Sequence, residues 1–88
     1  MTPPLSPEQL LIIADEFCVI HRVRVSDFGA LVAAAAVPGA RISGIAVHRD
    51  VPSAAQALSG AILRLQPLSA QNREFGEVCR ELYQRLHL

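Results

Sequence analysis

Hydrophobic residues recur at helical spacing in three segments of the chain, and start and stop signals bound each segment. The first begins at Ser6-Pro7-Glu8-Gln9, where a hydroxyl cap, a proline and an amide three residues past the cap are typical of a helix N-terminus. We expect a first helix from about Pro7 to Ile20. Its apolar face would consist of Leu10, Ile13, Ala14, Phe17 and Cys18.

A short second helix is predicted in an alanine-rich segment. Val23-Arg24-Val25 has room only for an extended connector, and the Ser26 side chain can cap a helix from Asp27 to Ala36. Pro38-Gly39 then ends this helix. The next stretch, Arg41 to Val51, has no consistent apolar face, so we interpret it as a loop with room for a short extended piece.

Two more helices are predicted in the second half. Pro52-Ser53-Ala54-Ala55-Gln56 repeats the capping pattern and starts a helix from Ser53 to Leu65, which ends because Pro67 pushes the preceding residue out of the α region. The last helix begins at about Ser69 or Ala70 and ends at Leu86. The sequence therefore predicts one all-α domain, a small bundle of about four to five helices. The apolar stripe of the last helix would be Phe75, Val78, Cys79, Leu82 and Leu86.

Composition and charge narrow the functional classes. Hydrophobic residues make up 51% of the chain and charged residues 18%, which excludes a disordered tail and favours apolar surface that a partner or a second copy covers. Eight basic and eight acidic side chains cancel, so strong non-specific nucleic-acid binding is not expected. The longest apolar run, Ala30 to Val37, is far shorter than the ~20 residues of a membrane span. We expect a cytoplasmic protein that does not bind a membrane.

The cysteines and histidines give weak signals. Cys18 and Cys79 have no companions at metal-ligand spacing, so we expect two buried free thiols rather than a disulfide or a zinc site. Cys18 and His21 lie three residues apart, which is half of a metal site, but we interpret them as a packed thiol beside a helix-end histidine. His87 would complement the dipole of the last helix.

Two helical segments also carry a family resemblance. The segment from Val25 to Leu31, with Pro38 after it, resembles the Arg-Asp-Leu-Gly-Leu-Leu helix of Fic/Doc-type toxins, which closes on an Arg-Pro pair. Ala54 to Leu65 resembles the Lys-Ala-Ala-Ala-Leu-Leu helix that leads into the signature of that family. The resemblance extends without a gap through each segment and covers the chain from Leu5 to about Leu82. The matching residues are Asp27, Gly29, Leu31, Ala34, Pro38, Ala55, Ala57 and Leu58.

By this resemblance, residues 66–74 occupy the place of the signature His-Pro-Phe-x-Asp-Gly-Asn-Lys-Arg. Gln66 stands where the family has a histidine base, and an amide cannot accept the proton. Ala70 replaces the carboxylate that holds a divalent metal. Glu74 replaces the last arginine and would repel a phosphate. The resemblance thus implies that no catalytic residue remains at these three positions and that no metal is bound.

The other signature positions keep part of a phosphate or nucleotide site. Gln71 stands for the glycine that lets backbone N–H groups close on a phosphate, and a glutamine disfavours the positive φ that such sites often use. Asn72 matches, and Arg73 keeps a basic side chain. Asn72 should also cap the start of the last helix with its side chain. His48 lies in the loop that would approach the signature, so it is either a substitute base or, as we favour, a solvated loop residue.

We therefore expect a catalytically inactive Fic/Doc-like interaction module from a toxin–antitoxin context, without a cofactor. The first alternative is a divergent active toxin that uses ATP and magnesium to transfer a phosphate or nucleotide group to a protein hydroxyl. The second is a helix-turn-helix DNA-binding regulator, because Gln71-Asn72-Arg73 opens the second of two helices joined at Pro67. Zero net charge and the absence of lysine disfavour that alternative.

The end of the chain predicts where a partner would bind. In the family at least one more helix covers the signature helix, whereas only His87 and Leu88 follow the last stripe here. Apolar side chains left in water mark association sites. We expect the last two helices to form a two-fold homodimer contact or to bind an antitoxin-like helix, with Phe75, Tyr83 and Leu86 at this interaction surface.

Overall fold

A computed structural model of the protein describes residues 2–87. Within this range the chain forms four α-helices, one 3-10 turn and one two-stranded antiparallel hairpin. The mainly helical prediction is confirmed, and the hairpin lies in the segment that we interpreted as a loop with room for a short extended piece. The elements are α1 (Pro7–His21), α2 (Phe28–Ala36), the 3-10 turn (Val37–Gly39), β1 (Arg41–Ile42), β2 (Ile45–Ala46), α3 (Val51–Leu65) and α4 (Asn72–Leu86).

The predicted start of α1 is confirmed in detail. Ser6 Oγ accepts a hydrogen bond from the Gln9 N–H at 3.1 Å, and Gln9 Oε1 accepts one from the Ser6 N–H at 2.8 Å. These reciprocal bonds satisfy two backbone donors near the helix start. The helix ends at His21, where Arg22 turns to a left-handed conformation with φ of 56°.

The predicted cap of α2 is wrong by one residue. The Asp27 carboxylate, not the Ser26 hydroxyl, caps the helix and accepts a hydrogen bond from the Ala30 N–H at 2.9 Å. The hydroxyl of Ser26 donates instead to the Pro67 carbonyl oxygen at 3.4 Å. The Ser26 side chain, which the local sequence predicts as the cap, therefore bonds instead to a residue distant along the chain.

The predicted start of α3 is also wrong. The helix begins at Val51, and the cap is Asp50, whose carboxylate accepts a hydrogen bond from the Ser53 N–H at 2.8 Å. Pro52 fits inside the first turn because a proline there has no N–H to satisfy. The hydrogen bonds from Ser53 hold the pKa of the Asp50 carboxyl below its usual value.

A tight turn forms the hairpin in the segment that shows no clear pattern. Ile42 pairs with Ile45, and the two residues between them, Ser43 and Gly44, have φ of 51° and 79°. Two central residues with positive φ are typical of the type I′ turn that matches strand twist. Each strand has two residues, which is too short to show an alternating pattern.

Small residues let the helices approach closely around one core. Seven alanines of these helices are buried beside larger side chains such as Leu10, Leu58 and Ile62: Ala14, Ala30, Ala34, Ala35, Ala54, Ala55 and Ala61. At the α3–α4 contact, a Cβ added to Gly76 would lie 3.1 Å from the Ser59 backbone oxygen, so this glycine permits the close approach. No helix within residues 2–87 is both long enough and apolar enough to span a bilayer.

The buried face of α4 differs from the predicted stripe. Phe75 and Cys79 are buried as predicted, but Val78 and Leu86 are exposed and Leu82 is half-buried. Tyr83 takes their place in the core, and its hydroxyl donates a hydrogen bond to the Pro3 carbonyl oxygen at 2.6 Å. Both sets of residues have helical spacing, so periodicity alone did not separate them. The buried face is Asn72, Phe75, Gly76, Cys79 and Tyr83.

Residues 2–5 form a strap across the end of the bundle. Leu5 is buried, and the Thr2 hydroxyl donates a hydrogen bond to the His48 carbonyl oxygen at 3.2 Å. The strap passes so close to the 3-10 turn that a Cβ on Gly39 would lie 2.4 Å from the Pro4 nitrogen. A glycine is therefore required at this crossing.

We expect Gly39→Ala to destabilise the fold by about 1 to 3 kcal/mol, because the added methyl group overlaps the strap backbone. Gly60→Ala is the control, since its Cβ would meet only the flexible end of Arg64, and alanine is favoured over glycine inside a helix. Urea unfolding followed by circular dichroism measures both. A Gly39→Ala protein as stable as the unmodified protein would show that the strap does not pack on this turn.

Candidate functional site

Residues 66–71, here called the signature loop, join α3 to α4. Gln66 and Gln71 bound the loop, and both adopt left-handed backbone conformations with φ of 55° and 59°. The expectation that Gln71 avoids positive φ is therefore wrong. Because of this turn, α4 begins at Asn72 and not at Ser69 or Ala70 as predicted.

Main-chain hydrogen bonds fix the signature loop to the connector before α2. The N–H groups of Ser26 and Asp27 donate to the Pro67 carbonyl oxygen at 2.9 and 3.1 Å. The Ser69 N–H donates to the Arg24 carbonyl oxygen at 2.8 Å. Val25 and Leu68 lie between these bonds and form an isolated antiparallel bridge. The loop is thus held against the connector by one isolated antiparallel bridge and the hydrogen bonds on either side of it.

Asn72 closes the signature loop from the other side. Its side-chain Oδ1 accepts a hydrogen bond from the Leu68 N–H at 2.9 Å, and Nδ2 donates to the Leu68 carbonyl oxygen at 3.0 Å and to Gln66 Oε1 at 3.2 Å. The predicted position at the start of α4 is confirmed. The predicted role is wrong, because the side chain bonds backward to the loop and does not cap the helix. These bonds use both amide hydrogens, and the residue is buried.

The other signature positions divide between the core and the surface: Pro67 and Leu68 are buried, and Gln66 is exposed. Gln66 donates through Nε2 to the Leu63 carbonyl oxygen at 2.7 Å. Ala70, Arg73 and Glu74 are exposed. Glu74 lies in the first turn of α4, where its negative charge occupies the end of the helix that would otherwise attract a phosphate.

Residues that could provide a base or metal ligands lie elsewhere. His48 is half-buried between β2 and α3, and no hydrogen bond among residues 2–87 joins its imidazole to the signature loop. The ring of His21 stacks on Phe17 with a centroid separation of 4.0 Å. His87 follows α4 and contacts the ring of Tyr83 at 4.5 Å. The described part of the chain has no cluster of three or more potential metal-ligating side chains.

The two cysteines are both free thiols but differ in environment. Cys79 is buried in the core, and this burial raises the pKa of its thiol to about 12. Cys18 is half-buried, so the expectation of a buried thiol is wrong there, and burial together with the charge of Asp15 raises the pKa of its thiol. The different exposures predict different reactivity.

An open groove runs between α1 and α4, which we call the α1–α4 groove. It has a volume of about 390 Å³, and Phe17 of α1 together with Val78 and Leu82 of α4 forms its floor. Sequence reasoning placed Val78 and Leu82 in the α4 stripe, but it did not assign them to a binding surface. Their spacing of four residues, with Leu86 after them, was the available signal.

The groove replaces the interaction surface predicted from the sequence. Phe75 and Tyr83 were predicted at that surface, but both are buried in the core, because the side of α4 that carries them packs inward. They are therefore not available to a partner on this fold. Leu86 is exposed, as that prediction requires.

Comparison with protein-family models, with curated proteins and with solved structures gave no match to this chain.

We expect Asn72→Ala to lower the free energy of unfolding by about 1 to 3 kcal/mol, because it leaves the backbone groups of buried Leu68 without partners. Arg73→Ala is the control, since Arg73 is exposed on the next position of α4. Chemical denaturation followed by circular dichroism compares the two variants. Equal stabilities would mean that Asn72 does not hold the loop.

In the native protein at pH 8, we expect iodoacetamide to modify Cys18 well before Cys79. A thiol pKa of about 12 leaves almost no thiolate on Cys79, and the core also blocks the reagent. Peptide mapping by mass spectrometry reads the modified residue, and modification in denaturant is the control. Similar modification rates at Cys18 and Cys79 in the native state would contradict the burial of Cys79 in the core.

Proposed function

We propose that the protein is a catalytically inactive interaction module on a Fic/Doc-like scaffold, which binds a protein partner in a toxin–antitoxin context. The observation that carries this proposal is that the Asn72 side chain is hydrogen-bonded within the fold. Its amide hydrogens donate to the Leu68 carbonyl oxygen and to Gln66 Oε1, and its oxygen accepts from the Leu68 N–H. A signature residue that binds its own loop in this way does not present its side chain to a nucleotide.

Three chemical requirements of group transfer support the same proposal. A base must accept the hydroxyl proton, and Gln66 has an amide that is engaged with Leu63 and Asn72. A metal must neutralise the phosphates, and Ala70 has no ligand atom. Positive charge must hold the phosphates, and Glu74 brings a carboxylate to the start of α4. Gln66, Ala70 and Glu74 thus each lack a group that the same transfer reaction requires.

The alternative of an active divergent toxin requires a base and a phosphate site from other residues. His48 is the candidate base, and its backbone carbonyl is bonded to Thr2 in the strap. Arg73 is exposed and would be the candidate phosphate ligand, with the carboxylate of Glu74 beside it in sequence. This arrangement supports the inactive module better than it supports the enzyme.

The alternative of a DNA-binding helix-turn-helix has less support. A recognition helix needs its first side chains free to reach base edges. Asn72, the first residue of α4, is buried and bonded to the loop. Glu74 and Glu77 follow it on the exposed surface, where they would repel DNA phosphates.

Exposed apolar side chains favour partner binding as the role of this scaffold. Ile12, Val19 and Ile20 of α1 are exposed, as are Val78 and Leu86 of α4. A small domain with so many exposed aliphatic side chains gains free energy when another surface covers them. We infer a protein partner, with a second copy of the chain as the other possible occupant.

We expect no transfer of phosphate or nucleotide to any protein when the purified chain is incubated with labelled ATP, magnesium and cell lysate. Loss of one general base commonly costs a factor of about 10² to 10⁴, and here the metal ligand is also missing. An active Fic-type transferase in a parallel reaction controls for the assay. A labelled band that disappears with His48→Ala or Arg73→Ala would overturn the proposal.

A further inference from the structure

The α1–α4 groove has a floor and a rim of different chemistry. Phe17 forms the floor on the α1 side, where its ring also packs against Phe75 at a centroid separation of 5.3 Å. Val78 and Leu82 form the floor on the α4 side, and both remain accessible to solvent. Val78 and Leu82 therefore offer the accessible apolar surface of the groove, because Phe17 is buried and its ring contacts those of His21 and Phe75.

The rim on the α4 side is acidic. Glu74, Glu77 and Glu81 line the groove, and their spacing of three and four residues places them on one side of the helix. Arg85 also lines the groove and pairs with Glu81 at 3.5 Å. Three carboxylates against one guanidinium leave the α4 side of the groove with a net negative charge.

We propose that the α1–α4 groove binds a basic amphipathic helix of a partner protein. The apolar side chains of that helix would cover Val78 and Leu82, and its Lys and Arg side chains would pair with the acidic rim. This assignment rests on the proposed function, in which the chain acts through partner binding. The groove extends along α4 from Glu74 to Arg85, about 16 Å at the rise of an α-helix, so about three turns of the partner make contact.

The charge of the groove decides against a second copy of this chain as the occupant. A two-fold contact places the same surface of both copies together. Glu74, Glu77 and Glu81 outnumber Arg85 among the charged side chains of α4 at the groove, so two copies would bring together surfaces of the same net negative charge. A helix fits better than a strand, because both walls of the groove are helices whose side-chain ridges accept another helix.

A synthetic peptide pair tests this proposal directly. One peptide is a helix of about 14 residues with leucines at i, i+4 and i+7 and with arginines flanking them; the other has glutamates in place of the arginines. We expect the fluorescently labelled arginine peptide to bind, measured by anisotropy, and its affinity to fall as salt is raised. The glutamate peptide should bind at least about tenfold more weakly.

Matched variants locate the binding site. We expect Glu77→Lys to weaken binding of the arginine peptide by about tenfold, whereas Glu8→Lys, the same change of charge at the far end of α1, should leave it nearly unchanged. Val78→Asp should weaken binding similarly, and Val32→Asp on α2 is its control, because both valines are exposed. Circular dichroism verifies that each variant is folded.

Nuclear magnetic resonance of the unmodified protein gives an independent measurement. Titration with the arginine peptide should shift the amide signals of residues 17–21 and 74–85. Shifts confined to the hairpin at 41–46, or equal affinity for both peptides, would overturn the groove assignment. If the unmodified protein binds neither peptide and no ATP-dependent transfer is seen, the groove assignment is wrong while the proposed function stands. ATP-dependent transfer to a protein would refute the proposed function itself.

Discussion

The structure depends on the way the loop between α3 and α4 is held. Ser26 and Asp27 donate their N–H groups to one carbonyl oxygen of this loop, that of Pro67. Asn72 binds both backbone groups of Leu68 from the other side. Buried backbone groups without partners are costly, so this set of bonds allows the loop to lie within the fold and α4 to pack beside α3.

The same bonds account for the chemistry that we infer for the signature loop. On the scaffold that we propose, Asn72 could contact a nucleotide only with a free side chain, and here its hydrogen-bonding groups are used inside the protein. Gln66 and Ala70 add neither a base nor a metal ligand. An arrangement that stabilises this loop and one that binds phosphate compete for the same groups, which supports a structural role for these residues.

The orientation of α4 connects the core to the proposed binding surface. Tyr83 lies in the core and its hydroxyl bonds to the Pro3 carbonyl oxygen, while burial raises the pKa of this hydroxyl and so maintains it as a donor. With Tyr83 inside, Val78 and Leu82 lie at the groove beside α1. The glutamates on the same side of α4 border this apolar surface and give the groove its negative charge.

The sequence by itself determined the helical class, a bundle of about four to five helices, the start of α1 and the last residues of α2, α3 and α4, because these follow from local signals such as the Ser6–Gln9 capping box and Pro67. Of the candidate site, it located the segment between α3 and α4 and the position of Asn72 at the start of α4. The tertiary structure decided the cap of α2, the use of Asn72 and the inward side of α4. The cap of α2 and the inward side of α4 depend on contacts between residues distant along the chain, as between Ser26 and Pro67 or Tyr83 and Pro3. Asn72 bonds to nearby Gln66 and Leu68, but their placement depends on the turn at Gln66 and on the bonds between the loop and the connector before α2. A periodic pattern carries no information on such contacts.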